Sequence, residues 1–117
     1  MVEPVTYNLT MYPGADYANT IYTGIVSANG SPIDFTAWTI NARFTEDFQS
    51  NTVYTWVASG TSNSGIVLSM NAASTANVPA TTQGSRYFYD VFGYDPVANA
   101  TSKILEGVLT VYPSVVP

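Results

Sequence analysis

Two carboxylates, Asp90 and Glu106, are the residues of this chain best placed to act together, because each lies in the middle of one of two successive predicted strands. Hydrolysis of a glycosidic bond needs such a pair facing each other across a cleft, roughly 5–10 Å apart. In the alternative interpretation they lie on the outer face of a sheet, with Arg43, Arg86 or Lys103 as cross-strand partners. The sequence favours this structural role, because nothing near either carboxylate supplies an oxyanion hole or a tuned base.

Other kinds of catalysis and metal binding find little support in the composition. A Ser or Thr nucleophile needs a His, which the chain does not contain, or a Lys held beside it, and Lys103 is predicted to lie on a strand. Asp16 with Asp34, or Glu46 with Asp47, could offer loop oxygens to Ca²⁺, but no segment has the D-x-[DN]-x-[DN]-G pattern. With no Cys there is neither a thiolate metal site nor a disulfide. We therefore expect no catalytic residue, no cofactor, no metal and no enzymatic activity.

The charge balance restricts the partners. The formal net charge is −5 with only three basic residues, whereas phosphate binding needs clustered Lys and Arg. The N-terminus has no positive segment followed by an apolar run, so no signal peptide is predicted. No stretch of ~18 apolar residues suggests a membrane span. We expect no nucleic acid and no membrane among the partners, and synthesis in a cytoplasm.

Aromatic side chains are abundant, with nine Tyr, five Phe and two Trp. In residues 86–94 they fall on both faces of a predicted strand, and in residues 53–59 Tyr54 and Trp56 share one face, opposite Val53, Thr55 and Val57. A strand with rings on both faces is typical of a protein interface, where Tyr and Trp are enriched and charge is depleted. Internal cover, for example by residues 71–80, is the alternative to an interface, and a surface that stacks on sugar rings belongs to the second class of function. The candidate interface residues are Tyr54, Trp56, Phe88, Phe92 and Tyr94.

The elements that would position these side chains are short strands separated by turn residues. Residues 38–44 alternate most clearly. One face carries Trp38, Ile40, Ala42 and Phe44, and the other carries Thr39, Asn41 and Arg43. The Ala-rich run at 72–76 predicts one helical turn, which ends before a proline. The predicted strands cover residues 5–12, 19–27, 38–44, 53–59, 65–70, 86–94 and 103–112.

These segments predict a single domain over residues 1–117. About seven short strands can bury their apolar faces only by packing one sheet on another or by closing a sheet on itself. We expect an all-β, antiparallel β-sandwich with an Ig-like arrangement and at most one short helical turn. An Ig domain proper would have a Cys pair bracketing its Trp, so the prediction concerns the architecture alone. Residues 1–12 form either an N-terminal arm or the first strand, and residues 113–117 a short tail.

Four segments, in order along the chain, resemble a family of small bacteriophage structural domains. Residues 30–39 (GSPIDFTAWT) are similar to the family's G-x-P-[IV]-D-L-T-G-[YW]-T stretch. Residues 65–79 resemble its G-[IV]-x-L-[ST]-[LM] strand and the T-x-x-[LV]-P that follows. Residues 84–91 (GSRYFYDV) and 103–111 (KILEGVLTV) are similar to its G-x-[RY]-Y-x-Y-D-[LV] and closing x-x-L-x-G-x-[LV]-x-V strands. The family is that of the N-terminal domain of phage baseplate upper proteins.

The resemblance implies an Ig-like β-sandwich used as an attachment module. It implies a virion structural protein, in the tail, baseplate or fibre-attachment region, whose partners are other virion proteins and possibly further copies of itself. A capsid decoration or cement protein is the close alternative, and a carbohydrate-binding or adhesion module is the second class.

Overall fold

The computed structural model of the chain describes residues 4–27, 29–46, 52–79 and 85–112, so the predicted tail at 113–117 lies outside the described residues. The fold is all-β with one helical turn, as the sequence predicts. The elements are β1 (Val5–Thr6), β2 (Leu9–Met11), β3 (Tyr17–Tyr22), β4 (Thr39–Thr45), β5 (Val53–Gly60), β6 (Gly65–Met70), α1 (Ala72–Thr75), β7 (Ser85–Asp95) and β8 (Ala100–Val111).

The eight strands form a curled sheet in the order β1-β8-β7-β4-β5-β6-β3, with β2 also pairing with β8. The curl depends on β5, which changes partners along its length. Its first half, up to Trp56, pairs with β4, and its second half, from Val57, pairs with β6. A strand that pairs with a different neighbour at each end turns the sheet back on itself, so that the two arms enclose a common core.

The core consists of the side chains that alternate towards the inside of the curl. Ile40, Ala42 and Phe44 on β4 are buried, as their period-2 pattern predicts. Ile66 and Leu68 on β6 are also buried, in the opposite arm. The predicted helical turn forms α1, whose N-cap Asn71 accepts a hydrogen bond from the Ser74 N–H at 2.8 Å.

The N-terminal segment differs from the prediction in two ways. The single strand expected over residues 5–12 is two short strands, and both pair with β8 in parallel, so the sheet is mixed rather than purely antiparallel. The ladder breaks at Asn8, where the side-chain Oδ1 accepts the Val108 N–H at 3.2 Å in place of a backbone carbonyl. Leu9 and Met11 are 4% and 1% exposed, so residues 5–12 complete this domain's own core.

Strands β7 and β8 form the hairpin that carries most of the predicted functional residues. Its loop is shorter than predicted, because Asp95 still pairs with Ala100. The register shifts between Val91 and Phe92, and on β8 the consecutive residues Ile104 and Leu105 are both fully buried. This is the pattern of a β-bulge, in which one extra residue on a strand is accommodated without reversing the two faces.

Candidate functional site: the outer face of the sheet

The candidate site is the side of β5, β4, β7 and β8 that faces away from the core, here called the outer face. Its members follow from the strand register, since residues paired across neighbouring strands point to the same side. The outer face consists of Val53, Thr55, Asn41, Arg43, Thr45, Phe88, Asp90, Phe92, Lys103, Glu106 and Val108.

A row of charged side chains crosses the middle of this face. Arg43 pairs across strands with Asp90, and Asp90 pairs with Glu106. Arg43 Nε lies 3.2 Å from Asp90 Oδ1, and Lys103 Nζ lies 2.8 Å from Glu106 Oε1. The predicted cross-strand cation is confirmed for Asp90, whose partner Arg43 lies on β4. For Glu106 the prediction is wrong, because its partner Lys103 is three residues away on the same strand. Arg86, the third candidate partner, pairs with Thr110 instead.

The two carboxylates share a depression of about 390 Å³ on the outer face. Its wall includes the four charged side chains together with Val53, Phe88 and Val108. The structure therefore brings Asp90 and Glu106 into one concave site, which is the arrangement that the hydrolytic alternative requires. Both already engage a cation, however, and no described residue beside them is a His or a Cys.

A second depression, of about 450 Å³, adjoins the first at Arg43. Asn41, Thr55 and Phe92 contribute to its wall, and the Arg43 Cζ lies 5.9 Å from the centre of the Phe92 ring. That distance is within the range of a cation–π contact. Arg43 thus connects the two depressions and holds the ring of Phe92 beside the charged row.

The predicted rings Phe88, Phe92 and Tyr94 do lie on the outward side of β7, and all three are half-buried. Tyr94 is at the end of the hairpin, where its hydroxyl donates to Asn99 Oδ1 at 2.6 Å. This bond ties the ring to the loop, so Tyr94 marks the border of the outer face.

Tyr54 and Trp56 lie on the core side of β5, whereas an interface with another protein would need them on the solvent side. Trp56 is 5% exposed, with its ring 4.7 Å from that of Phe44 and 5.6 Å from that of Tyr89. Tyr54 is half-buried, with its ring stacked 5.2 Å from Phe44. The expectation that these two rings are exposed is wrong, because β5 pairs Tyr54 with Phe44 and therefore puts both on the core side.

The side chains of β5 that do reach solvent are the aliphatic ones. Val53 is 49% exposed and Val57 is 73% exposed. Sequence reasoning missed them because it took the aromatic side as the surface. The size of the side chains could have identified the buried face of β5. Burial of the large rings of Tyr54 and Trp56 contributes more free energy than burial of the smaller valines on the other face.

The tyrosines beneath the outer face are held in their neutral form. Burial raises the pKa of Tyr87 to about 12, and its hydroxyl donates to the Pro79 carbonyl at 2.7 Å. Burial also raises the pKa of Tyr89, whose hydroxyl donates to the carbonyl of Tyr7. Both phenols serve as structural donors to neighbouring segments, and neither is poised to act as a base.

Two of the loop carboxylates considered for Ca²⁺, Asp34 and Asp16, accept hydrogen bonds within the fold. Asp34 accepts hydrogen bonds from the Thr36 hydroxyl and the Thr36 N–H, which lower the pKa of its carboxyl. Asp16 Oδ1 accepts the Ala72 N–H at 2.7 Å. Asp47 lies outside the described residues. Within the described ranges, no three acidic, His or Cys side chains are grouped to hold a metal ion.

No protein-family model matches the chain, and no curated protein is significantly similar to it. No helix within the described residues has the length and apolar character needed to cross a membrane.

Proposed function

We propose that this chain is a non-enzymatic structural protein of a bacteriophage virion, which docks on other virion proteins through the outer face of its sheet. The observation that carries the proposal is that Val53 on the outer face, and Val57 beside that face on β5, are exposed, while the charged side chains of the face are already paired among themselves. Docking on such a surface buries apolar area without leaving an unpaired charge. The four ordered segments that resemble phage attachment domains support the same role.

We also propose that the curled sheet is an Ig-like, two-layer arrangement. The change of partner within β5 supports it, because strands β6 and β3 then form a second layer facing β7 and β8. The tail, baseplate or fibre-attachment region is the proposed position, since the resembling domains act there. A capsid decoration protein would use the same surface with the major capsid protein as partner.

The test is to locate the protein on purified phage particles. Antibodies against the isolated domain, applied to density-purified particles in the electron microscope, should label one part of the particle, the tail end for an attachment protein and the shell for a decoration protein. Recovery of the chain in the soluble lysate, with none on particles, would overturn the proposal.

A pair of variants tests the docking surface. Val57→Lys places a charge on β5 beside the outer face, and we expect it to abolish incorporation into particles while the isolated domain stays folded. Val97→Lys is the matched control, because Val97 is 92% exposed in the hairpin loop away from the charged row. Equal loss of incorporation for both variants would contradict the assignment of the surface.

Carbohydrate binding is the second candidate, favoured by one observation. The ring of Phe92 lies in a depression beside Asn41 and Arg43, which pairs a stacking surface with hydrogen-bonding groups. Calorimetric titration of the protein with a panel of soluble glycans would detect such binding. Phe92→Ala should remove the binding, and Tyr22→Ala should leave it intact. Binding of any glycan with this pattern would favour an adhesion module over a purely structural component.

A further inference from the structure

The two edges of the curled sheet differ in how they are protected. The edge formed by β1 and β2 is short, broken between Thr6 and Leu9 and followed by Pro13, all of which limit pairing with another chain. The other edge, β3, runs unbroken from Tyr17 to Tyr22 and contains no Pro, no charged residue and no register shift. Strand β3 therefore lacks the devices by which edge strands usually avoid association.

Every second residue of β3 directs its backbone polar groups away from the sheet. The Thr23 N–H donates to the Ser64 carbonyl at 2.9 Å, one position beyond the last pair of the β3–β6 ladder. Because bonded and non-bonded pairs alternate along an antiparallel ladder, the odd-numbered residues of β3 bond to β6. The N–H and C=O groups of Ala18, Thr20 and Tyr22 therefore point to the open edge.

These three positions are accessible. Ala18, Thr20 and Tyr22 are all exposed, and the Tyr22 side chain is 69% exposed. Within the described part of the chain, no turn, loop or side-chain hydrogen bond reaches their backbone groups. An added antiparallel strand forms its hydrogen bonds with every second residue of an edge. The free N–H and C=O groups of these three residues have that spacing.

We propose that β3 is a self-association edge, at which two copies of this chain pair their β3 strands antiparallel about a twofold axis centred on Thr20. In this register Thr20 lies opposite Thr20 of the second copy, and Ala18 lies opposite Tyr22. In each of these pairs, both residues have a free N–H and a free C=O, so the two copies form two hydrogen bonds at each pair. A shift by one residue would bring in groups that already bond to β6.

The side chains also suit this register. Each Tyr22 ring lies beside the small Ala18 of the other copy, so that part of an otherwise exposed ring is covered. The flanking Asp16 falls opposite Gly24, so the carboxylates of the two copies do not meet. A second copy is therefore favoured over a charged peptide, which would find no complementary charge at the exposed positions of β3.

The pairing closes as a dimer and does not propagate. Growth of a filament would need the β1–β2 edge to accept β3, and that edge is short and broken. This inference concerns the isolated chain and goes beyond the proposed virion role. Its test therefore needs no phage particle, and its failure leaves the docking proposal standing.

The first test is light scattering of the purified chain at increasing concentration. We expect the mass to rise from 12.6 kDa to about 25 kDa, twice the mass of one chain.

Thr20→Lys puts two like charges opposite each other and should raise the dissociation constant of the dimer at least about tenfold. Thr10→Lys, at an exposed position of β2 on the other edge, is the matched control and should dimerise like the wild type. A wild type that stays at 12.6 kDa at every concentration would overturn the proposal, as would a Thr20→Lys variant as dimeric as the wild type.

The second test reads the register directly. The chain has no Cys, so Thr20→Cys introduces a single thiol for a nitroxide spin label. Because cross-strand partners are only ~5 Å apart, labels at this position should broaden each other's spectra strongly. The same label at Thr10→Cys should give narrow lines. A dimer with narrow lines at position 20 would mean that the copies associate through another surface.

Discussion

At the scale of single residues, Trp56 joins the two arms of the curled sheet. Its ring lies 4.7 Å from that of Phe44 on β4 and 5.7 Å from that of Tyr17 on β3. The indole N–H is buried, and no described residue accepts a hydrogen bond from it. The ring therefore stabilises the fold by packing, while burial of its unpaired N–H costs free energy.

We expect Trp56→Ala to lower the free energy of unfolding by about 3–5 kcal/mol, because it leaves a large cavity between the arms. Trp56→Phe should cost much less, since it keeps an aromatic ring and removes a buried N–H that costs about 1–3 kcal/mol when unpaired. Urea unfolding followed by circular dichroism measures both. Equal losses for the two variants would mean that the indole N–H has a partner.

The buried phenols predict a loss of stability in alkali. The pKa of Tyr87 is raised from 10.0 to about 12, so the folded state favours the neutral phenol. Its contribution is fully present below pH 10 and is lost as the pH rises towards 12. The slope is at most about 1.4 kcal/mol per pH unit for this group, and Tyr89 acts in the same direction.

Urea unfolding at several values between pH 9 and pH 12 checks this prediction. The midpoint should fall steadily above pH 10, and Tyr87→Phe should make the fall shallower. A midpoint that stays constant up to pH 12 would contradict it.

Residue-level reasoning succeeded where a side chain's role depends on its own strand. The outward position of Asp90 follows from alternation with Tyr89 and Val91 on the same strand. It failed for Trp56, because which face of β5 is inside depends on the register with β4. That register is a tertiary property, and neither face of β5 is polar enough to reveal it.

At the scale of elements, the contact between β1–β2 and β8 depends on Gly107. Gly107 lies opposite Tyr89 in the hairpin, and a Cβ at position 107 would overlap the carbonyl oxygen of Tyr7. A glycine inside a strand is typical of a close backbone approach or of a bulge, and here a Cβ at position 107 would also lie 3.0 Å from the Tyr89 ring. The approach of the Tyr7 backbone was not predictable, because residues 7 and 107 are distant in the sequence.

We expect Gly107→Ala to destabilise the domain by about 1–3 kcal/mol, because the added methyl group pushes against backbone. Thr101→Ala, at an exposed position of the same strand, should change the stability little. Hydrogen exchange should show faster exchange of the Tyr7 N–H, which donates to the Glu106 carbonyl at 3.0 Å. Protection of Tyr7 equal to that of the wild type would show that the strand tolerates the methyl group without moving.

At the scale of the whole molecule, the sequence predicted an all-β domain with one helical turn but not the connection of its strands. Alternation identifies strands, while parallel pairing of residues 5–12 with β8 requires contacts a hundred positions apart. The same long-range pairing makes the N-terminal segment part of the fold, because Leu9 and Met11 are core residues.

Deletion of residues 1–12 should therefore leave an unfolded chain. The deletion removes two buried side chains and exposes the edge of β8. Circular dichroism and a thermal scan check this, with deletion of residues 113–117 as the control at the other end. A folded monomer lacking residues 1–12 would show that the core closes without them.

The parallel pairing of β1 and β2 with β8 also determines how the domain responds to tension. A pull applied at Pro4 and Tyr112 draws these strands past each other in opposite directions, so that the hydrogen bonds of the ladder are loaded together in shear. A pull applied across the β7–β8 hairpin at Ser85 and Val111, which pair with each other, would instead open its bonds one after another. Single-molecule stretching should give a clearly higher rupture force for the first pair of attachment points than for the second, and equal forces would contradict this. The domain would then resist load best along the line from Pro4 to Tyr112.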